Sequence, residues 1–143
     1  MPYRFLDDIA TADIAFLAWG QTLEETFIAA ADATMNVMIE ELASIRELEK
    51  REIQISNDSL DMLLFNFLQE LIYYKDAEQL LLRVKAVKIE TADEEHRLRS
   101  SAFGEKLDPA RHRQRVDVKA VTLHRFRLEK KDGSWEAEII LDI

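Results

Sequence analysis

The sequence predicts an α+β fold in which two long helices pack on a mostly antiparallel β-sheet. In the first half of the chain, two segments carry apolar residues at helical spacing. From Leu80 onward the apolar period changes toward two, which is typical of strands. The chain has 143 residues, 48% of them apolar, with only three Gly and two Pro. This length and composition favour a single compact domain over residues 1–143.

The N-terminal elements are two strands and a helix. Apolar runs at residues 3–6 and 14–19 predict the strands, and the acidic stretch between them, which ends at Asp13, predicts a loop. Thr22 is followed three positions later by Glu, which is the spacing of a capping box. We therefore expect a helix that begins after Thr22 and ends near Leu42.

The second helix has the clearest pattern in the chain. Residues 53–55 predict a short strand, after which Asn57 or Asp58 can cap a helix. Apolar residues recur at positions i, i+3, i+4 and i+7 between Leu60 and Ile72. Such a wide apolar face predicts burial against a sheet.

The second half of the chain is predicted to be almost entirely strands. Four segments have the alternation of strands: residues 84–90, 96–103, 116–128 and 135–143. Gly104 and Glu105 are predicted to open a loop. Asp132 and Gly133 can supply the positive φ of a tight hairpin turn, so we expect the last two strands to be antiparallel neighbours.

The charge of the chain narrows the classes of function. It has 28 acidic and 19 basic residues and a formal net charge of −9. Such a surface repels polyanions, so we expect no strong direct binding of nucleic acid, although basic residues cluster between Arg111 and Arg127. The chain has no Cys, no leader pattern and no apolar run near about 18 residues. A cytoplasmic location and no membrane insertion are expected.

Without Cys, a metal ion would be held by oxygen ligands or by the three histidines, His96, His112 and His124. Each histidine lies in a predicted strand or loop, where a structural or solvated role is favoured. No Ser lies in a nucleophile-elbow motif. Nucleophilic catalysis is therefore poorly supported.

The best candidate for a binding site lies at the two ends of the sequence. Asp13 precedes a predicted strand, and Asp142 nearly ends the last one, beside the terminal carboxylate of Ile143. If the two ends meet, they form an oxygen-rich pocket suited to a hard cation such as Ca²⁺ or Mg²⁺. Spacing alone leaves a second interpretation open, in which Asp13 caps a turn and Asp142 lies on a solvated face.

Other polar residues near the end of the chain also have two interpretations. Lys119 lies on the same side of its predicted strand as Asp117, either as a partly buried ion pair or as a surface pair worth about 0 to 1 kcal/mol. Glu105 is either a ligand or a loop carboxylate. His112 is placed in a polar turn.

A set of short motifs covers essentially the whole chain in a characteristic order. They are Tyr3-Arg-Phe-Leu, Ala12-Asp-Ile-Ala-Phe, Thr22-Leu-Glu-Glu, Leu63-Leu-Phe-Asn-Phe-Leu-Gln-Glu-Leu, Gly104-Glu, His112, Val118-Lys-Ala-Val-Thr and the terminal Leu-Asp-Ile. In this order and at this spacing, the motifs resemble the archease family.

The resemblance implies a small, non-enzymatic activator of an RtcB-type RNA ligase, which joins RNA ends in tRNA splicing and RNA repair using GTP and a divalent metal. Such a protein promotes guanylylation and multiple turnover of the ligase by presenting a metal site. Carried over by position, the metal ligands are Asp13, Asp142 and Ile143, with Ca²⁺ expected and Mg²⁺ or Mn²⁺ as alternatives. Glu105 and Lys119 match family positions to which we assign supporting roles.

The acidic loop departs from the family pattern. Many members carry Asp-His-Thr-Ala-Asp, whereas the run from Asp7 to Asp13 is two residues longer and lacks the His. Asp7 or Asp8 is then a candidate for a compensating ligand. Two other functions remain as alternatives: a chaperone-like module that binds proteins without a required metal, and a metal-dependent hydrolase that uses the same carboxylates.

Overall fold

The computed structural model describes residues 2–6 and 13–143. Its elements in chain order are β1 (Tyr3–Leu6), β2 (Asp13–Gly20), α1 (Leu23–Met38), a 3₁₀ turn (Leu42–Ser44), β3 (Glu49–Asn57), α2 (Leu60–Glu78), β4 (Leu80–Ala92), β5 (Glu95–Lys106), β6 (Ala120–Val121), β7 (Arg127–Lys131) and β8 (Ser134–Asp142). This order confirms the predicted α+β fold with two long helices.

The strands form two antiparallel sheets rather than one. In the larger sheet the order is β1-β2-β8-β6, and β7 also pairs with β8. In the smaller sheet the order is β3-β5-β4. Helix α1 contacts β1, β2 and β8 of the larger sheet and β4 of the smaller sheet. Helix α2 contacts all three strands of the smaller sheet and also β6 and β7 of the larger sheet. The helices and the two sheets share a hydrophobic core.

Helix α1 begins where the sequence predicts and ends earlier. Thr22 Oγ1 accepts a hydrogen bond from the backbone N–H three residues on, at 3.1 Å, as the capping box requires. The helix ends at Met38 rather than near Leu42. It stops there because Ile39 pairs with Gln114, a residue far along the chain.

Helix α2 is capped by Ser59 rather than by Asn57 or Asp58. Ser59 Oγ accepts a hydrogen bond from the N–H of Met62 at 3.4 Å. Asn57 Oδ1 accepts one from the N–H of Ser59 at 3.0 Å and so forms the turn that precedes the cap. The predicted apolar face is buried from Leu63 to Ile72, and Leu60 is partly buried, which confirms that face.

Gly104 and Glu105 lie within β5, so the predicted loop at this point is wrong. Strand β5 pairs with β3 on one side and with β4 on the other. A Cβ atom at Gly104 would lie 1.6 Å from the carbonyl oxygen of Leu81. The glycine therefore permits the close approach of two strands and does not mark a turn.

The strand predicted over residues 116–128 is also wrong, because only the short strands β6 and β7 form in this region. The chain before β6 pairs with the end of α1. The N–H of Arg115 donates to the carbonyl oxygen of Met38 at 2.8 Å, which satisfies an acceptor that the helix leaves free. Arg125 then adopts a φ of 55°, which interrupts the extended backbone.

The C-terminal hairpin forms as predicted. Asp132 and Gly133 have φ values of 52° and 81°, as a two-residue hairpin loop of type I′ requires. In β8, Ala137, Ile139 and Leu141 are fully buried in the core. Ile140, on the opposite face of β8, is also buried, so only the two ends of the strand and Glu136 and Glu138 remain partly exposed.

Candidate metal site

The larger sheet brings Asp13 and Asp142 together. Strands β2 and β8 are antiparallel, and Asp13, the first residue of β2, lies opposite Asp142, the last residue of β8. Directly opposed residues in such a pair have Cβ atoms about 4.5 to 5.5 Å apart on one face of the sheet. The two ends of the chain therefore meet at these carboxylates.

The two carboxylates lie at the border between the core and the surface. Their neighbours Ile14 and Leu141, which are also opposed in register, pack in the hydrophobic core. Asp13 and Asp142 are partly exposed, and so is Ile143, whose side chain packs against the core. The backbone at this end of the sheet is thus well anchored, while the carboxylates remain accessible.

The electrostatics of this pair favour a cation. Among the ion pairs formed by the described residues, none involves Asp13 or Asp142. Like charges directly opposite each other destabilise an antiparallel pair. Residues 2–6 and 13–143 contain no cluster of three or more His, Asp or Glu side chains placed for a metal. Further ligands would have to come from the terminal carboxylate of Ile143, the backbone, water or a partner.

Thr122 places a buried hydroxyl in the strand pairing that surrounds Asp142. Its N–H donates to the carbonyl oxygen of Ile140 at 3.0 Å, just beyond the point where β6 pairs with the end of β8. Its Oγ1 atom is buried and has no hydrogen-bond partner within the described part of the chain. An unpaired buried hydroxyl is costly. No local pattern in the sequence marks Thr122, because a single Thr is ordinary in a segment predicted as a strand.

Lys119 contacts Asp142 through its backbone. Its N–H donates to the carbonyl oxygen of Asp142 at 2.8 Å, whereas its side chain is exposed. The expected pairing of Lys119 with Asp117 is wrong, because Asp117 forms an ion pair with Lys75 of α2. Burial lowers the pKa of Lys75, but hydrogen bonds to Asp117 and Asp76 outweigh burial and raise the pKa above its ordinary value.

Glu105 lies in the smaller sheet, where it anchors a loop. Its buried carboxylate accepts hydrogen bonds from the N–H of Arg46 at 2.6 Å, from the guanidinium of Arg111 and from Nε2 of His112 at 3.0 Å. Burial acts to raise the pKa of Glu105, but these hydrogen bonds lower the pKa to about 2. This carboxylate is therefore satisfied by donors of its own chain, and the structure does not bring it to Asp13.

His112 completes the anchor. The N–H of Asp108 donates to its Nδ1 at 2.9 Å, which leaves the proton on Nε2, the atom that faces Glu105. The backbone of His112 forms the turn that the sequence predicts, but its side chain is buried. The role is structural, because it fixes residues 107–119 to β5.

Comparison with known proteins decides the family. The model of the Archease protein family matches residues 3–143. The chain belongs to the archease family. A protein archease from Pyrococcus abyssi is 40% identical over 134 residues, which cover 93% of this chain and 94% of that relative. A protein archease from Methanosarcina mazei is 36% identical over 142 residues, with 99% and 95% covered.

Solved structures agree with this assignment. The solution structure of Methanobacterium thermoautotrophicum protein 1598 is 35% identical in sequence, has a TM-score of 0.86 and covers 99% of each chain. The crystal structure of an archease, described as a possible chaperone, from Thermotoga maritima has a TM-score of 0.60 and covers 98% of each chain. At 17% identity, this second structure supports the fold alone.

Membership of the archease family confirms the resemblance drawn from the motifs. Asp13 and Asp142 hold the positions that the resemblance assigns to metal ligands, and they are opposed in register. Asp7 and Asp8, the candidates for a compensating ligand, lie outside the described residues. Among the helices that the structure describes, none has the length and apolar character that a membrane span requires.

Proposed function

We propose that this archease-family protein is a metal-binding, non-catalytic cofactor of an RtcB-type RNA ligase. It promotes guanylylation and multiple turnover of the ligase in tRNA splicing and RNA repair, in the cytoplasm. The observation that carries the proposal is the register of β2 and β8, which opposes Asp13 and Asp142 at one end of the sheet. The choice of an RtcB-type RNA ligase as the partner rests on the family resemblance.

The donor set fits a hard divalent cation. Asp13, Asp142 and the terminal carboxylate of Ile143 offer only oxygen, which Ca²⁺ prefers and which also suits Mg²⁺ and Mn²⁺. Ca²⁺ takes about six to eight oxygen ligands, more than these groups supply. The remaining positions are open to water or to oxygens from the partner's active centre. A bound cation would supply the positive charge that stabilises a reacting phosphoryl group.

The remaining polar residues favour an auxiliary role. His112 is bound to Glu105, and His96 Nδ1 lies 2.7 Å from the hydroxyl of Thr91, so both rings are engaged away from Asp13. No nucleophile-elbow motif or Cys is present in the sequence. The net charge of −9 disfavours strong binding of RNA by this chain, so the ligase makes the main RNA contacts.

A multiple-turnover ligation assay with the cognate ligase tests the proposal. We expect Asp13→Asn and Asp142→Asn to keep the fold and lose most of the stimulation, because each removes one carboxylate of the opposed pair. Asp132→Asn makes the same chemical change in the β7–β8 turn, at a φ of 52° that Asn tolerates, and should stimulate as the wild type does. Equal ligase turnover with and without the wild-type protein would refute the proposal.

Calorimetric titration of the same four proteins with Ca²⁺, Mg²⁺ and Mn²⁺ measures the metal step by itself. Wild type and Asp132→Asn should bind with the same affinity, and the two site variants should bind weakly. If variants that no longer bind metal still stimulate the ligase, stimulation does not depend on metal binding, and the metal part of the proposal is wrong.

A chaperone-like module that binds proteins without a metal is the second candidate. It is favoured by Leu123, a large apolar side chain that is 59% exposed just beyond β6. The Thermotoga maritima relative is described as a possible chaperone. This candidate predicts that Asp13→Asn and Asp142→Asn retain full activity, whereas Leu123→Ser weakens binding of the partner. The hydrolase alternative would require turnover of phosphoesters by this protein alone under Mg²⁺, Mn²⁺ or Ca²⁺.

A further inference from the structure

A cavity of about 300 Å³ lies beside Asp13 at the end of the larger sheet. Its charged lining residues are Asp13 and Arg115. Phe5, Ile14 and Val37 form apolar walls, contributed by β1, β2 and α1. The cavity therefore combines a carboxylate of the proposed metal site with a guanidinium, a donor that suits anions.

Arg115 is positioned at this cavity by its backbone and by an aromatic ring. Its N–H donates to the carbonyl oxygen of Met38 at 2.8 Å, and the N–H of Val116 donates to that of Val37 at 3.3 Å. The guanidinium carbon lies 5.9 Å from the centre of the Phe5 ring, within the range of a cation–π interaction. The side chain is thus oriented by a contact that leaves its hydrogen-bond donors available.

Arg115 belongs to the basic part of an acidic protein. Residues 111–127 contain six Arg or Lys and one Asp, whereas the whole chain has a net charge of −9. Of these six, Arg115, Lys119 and Arg125 take part in no ion pair formed within residues 2–6 and 13–143. Arg115 is therefore a positive charge that no carboxylate of the described residues neutralises, and it can attract an anion.

We propose that this cavity binds a phosphate group, held by the guanidinium of Arg115 together with a cation at Asp13. The inference rests on the proposed function and names the ligand class of the same site: phosphorylated compounds such as a nucleoside triphosphate. A guanidinium donates two parallel hydrogen bonds to phosphate. A divalent cation with few protein ligands takes phosphate oxygens to complete its coordination. A phosphate monoester carries about two negative charges, which matches a cation and a guanidinium better than a single protein carboxylate does.

The test titrates inorganic phosphate into the protein of residues 1–143, with and without Mg²⁺. Binding is monitored by ¹H–¹⁵N NMR. In the wild type, we expect the Nε–H resonance of Arg115 to shift on titration. Arg115→Gln should weaken phosphate binding about tenfold or more, since it removes charge-assisted hydrogen bonds. The matched control is Arg113→Gln, in the same segment, whose native side chain pairs with Glu40 and does not line the cavity; it should bind as the wild type does.

Mg²⁺ should tighten phosphate binding in the wild type and leave Asp13→Asn unaffected, because the cation and the phosphate stabilise each other's binding reciprocally. Arg115→Gln should still bind Mg²⁺ with near wild-type affinity. Absence of phosphate binding, equal binding by Arg115→Gln and wild type, or equal weakening by Arg113→Gln would overturn the inference. A failure of this inference is distinguishable from a failure of the proposed function. The proposed function is tested by metal titration and ligase turnover. Phosphate binding by Arg115 is also measured without Mg²⁺.

Discussion

Glu105→Gln tests the anchor that holds residues 107–119 on β5. The carboxylate accepts hydrogen bonds from one backbone N–H and from two guanidinium groups, which a neutral amide cannot match. Its pKa is about 2 instead of 4.5, which limits the stabilisation from ionised Glu105 to about 3 kcal/mol. Solvent screens part of this, because the side chain of Arg46 is 59% exposed. We therefore expect a loss of about 2 kcal/mol in the free energy of unfolding.

Urea unfolding of both proteins across a pH series measures this loss. The folded pKa of Glu105 lies below the unfolded value, so the stabilisation is present above about pH 5 and is lost as the pH falls toward 2. The difference between wild type and Glu105→Gln should be largest at pH 7 and should shrink steadily below pH 5.

Glu95→Gln is the matched control, because Glu95 lies in the same strand and pairs with Arg97 at 2.9 Å on the exposed surface. A surface pair of this kind is worth about 0 to 1 kcal/mol. If Glu105→Gln costs no more than Glu95→Gln, or if its cost is the same at pH 7 and pH 3, the account of the anchor is refuted.

Three further changes test other parts of the structure. Gly104→Ala should destabilise the fold strongly in thermal unfolding, because the new Cβ would lie 1.6 Å from the carbonyl oxygen of Leu81. Gly133→Ala is the control: Gly133 has a φ of 81° and no atom near the new Cβ, so this change should cost about 1 kcal/mol. Thr122→Val should leave the free energy of unfolding in urea unchanged or raise it by up to about 1 kcal/mol, since it removes a buried hydroxyl without a described partner. Two residues added after Ile143 would displace the terminal carboxylate, so calorimetry should show weaker Ca²⁺ binding with an unchanged circular dichroism spectrum; unchanged affinity would exclude the terminus as a ligand.

Elements with a local cause could be predicted from the sequence. The capping box at Thr22, the apolar face of α2 and the hairpin turn at Asp132 each depend on residues a few positions apart, and all three are confirmed. The two largest errors, the end of α1 and the strand over residues 116–128, share one cause. The chain after α1 pairs with the segment around Gln114, and no local pattern indicates a contact over that separation.

The candidate site was accessible from the sequence for a different reason. Asp13 and Asp142 each lie at the end of an apolar strand, where a carboxylate is conspicuous. The family resemblance assigned both residues to one metal site. The pairing of Lys75 with Asp117 was not accessible, because these residues are 42 positions apart on different elements. The same holds for Arg115, whose place beside Asp13 follows from the contact of its segment with α1.

The environment of Asp142 bears on the proposed cation site. Asp142 pairs with Asp13 on one side and with Ala120 on the other, and its carbonyl oxygen accepts the N–H of Lys119. Its backbone is held from both sides, so the Cα atoms of Asp13 and Asp142 can separate only if this end of β8 unpairs. A cation between the carboxylates would remove the repulsion without the loss of a backbone hydrogen bond. Asp142→Asn should therefore stabilise the metal-free protein, by up to about 1 kcal/mol, while it weakens cation binding. Thermal unfolding in chelator and in Ca²⁺ measures both effects, and destabilisation of the variant in chelator would contradict the argument.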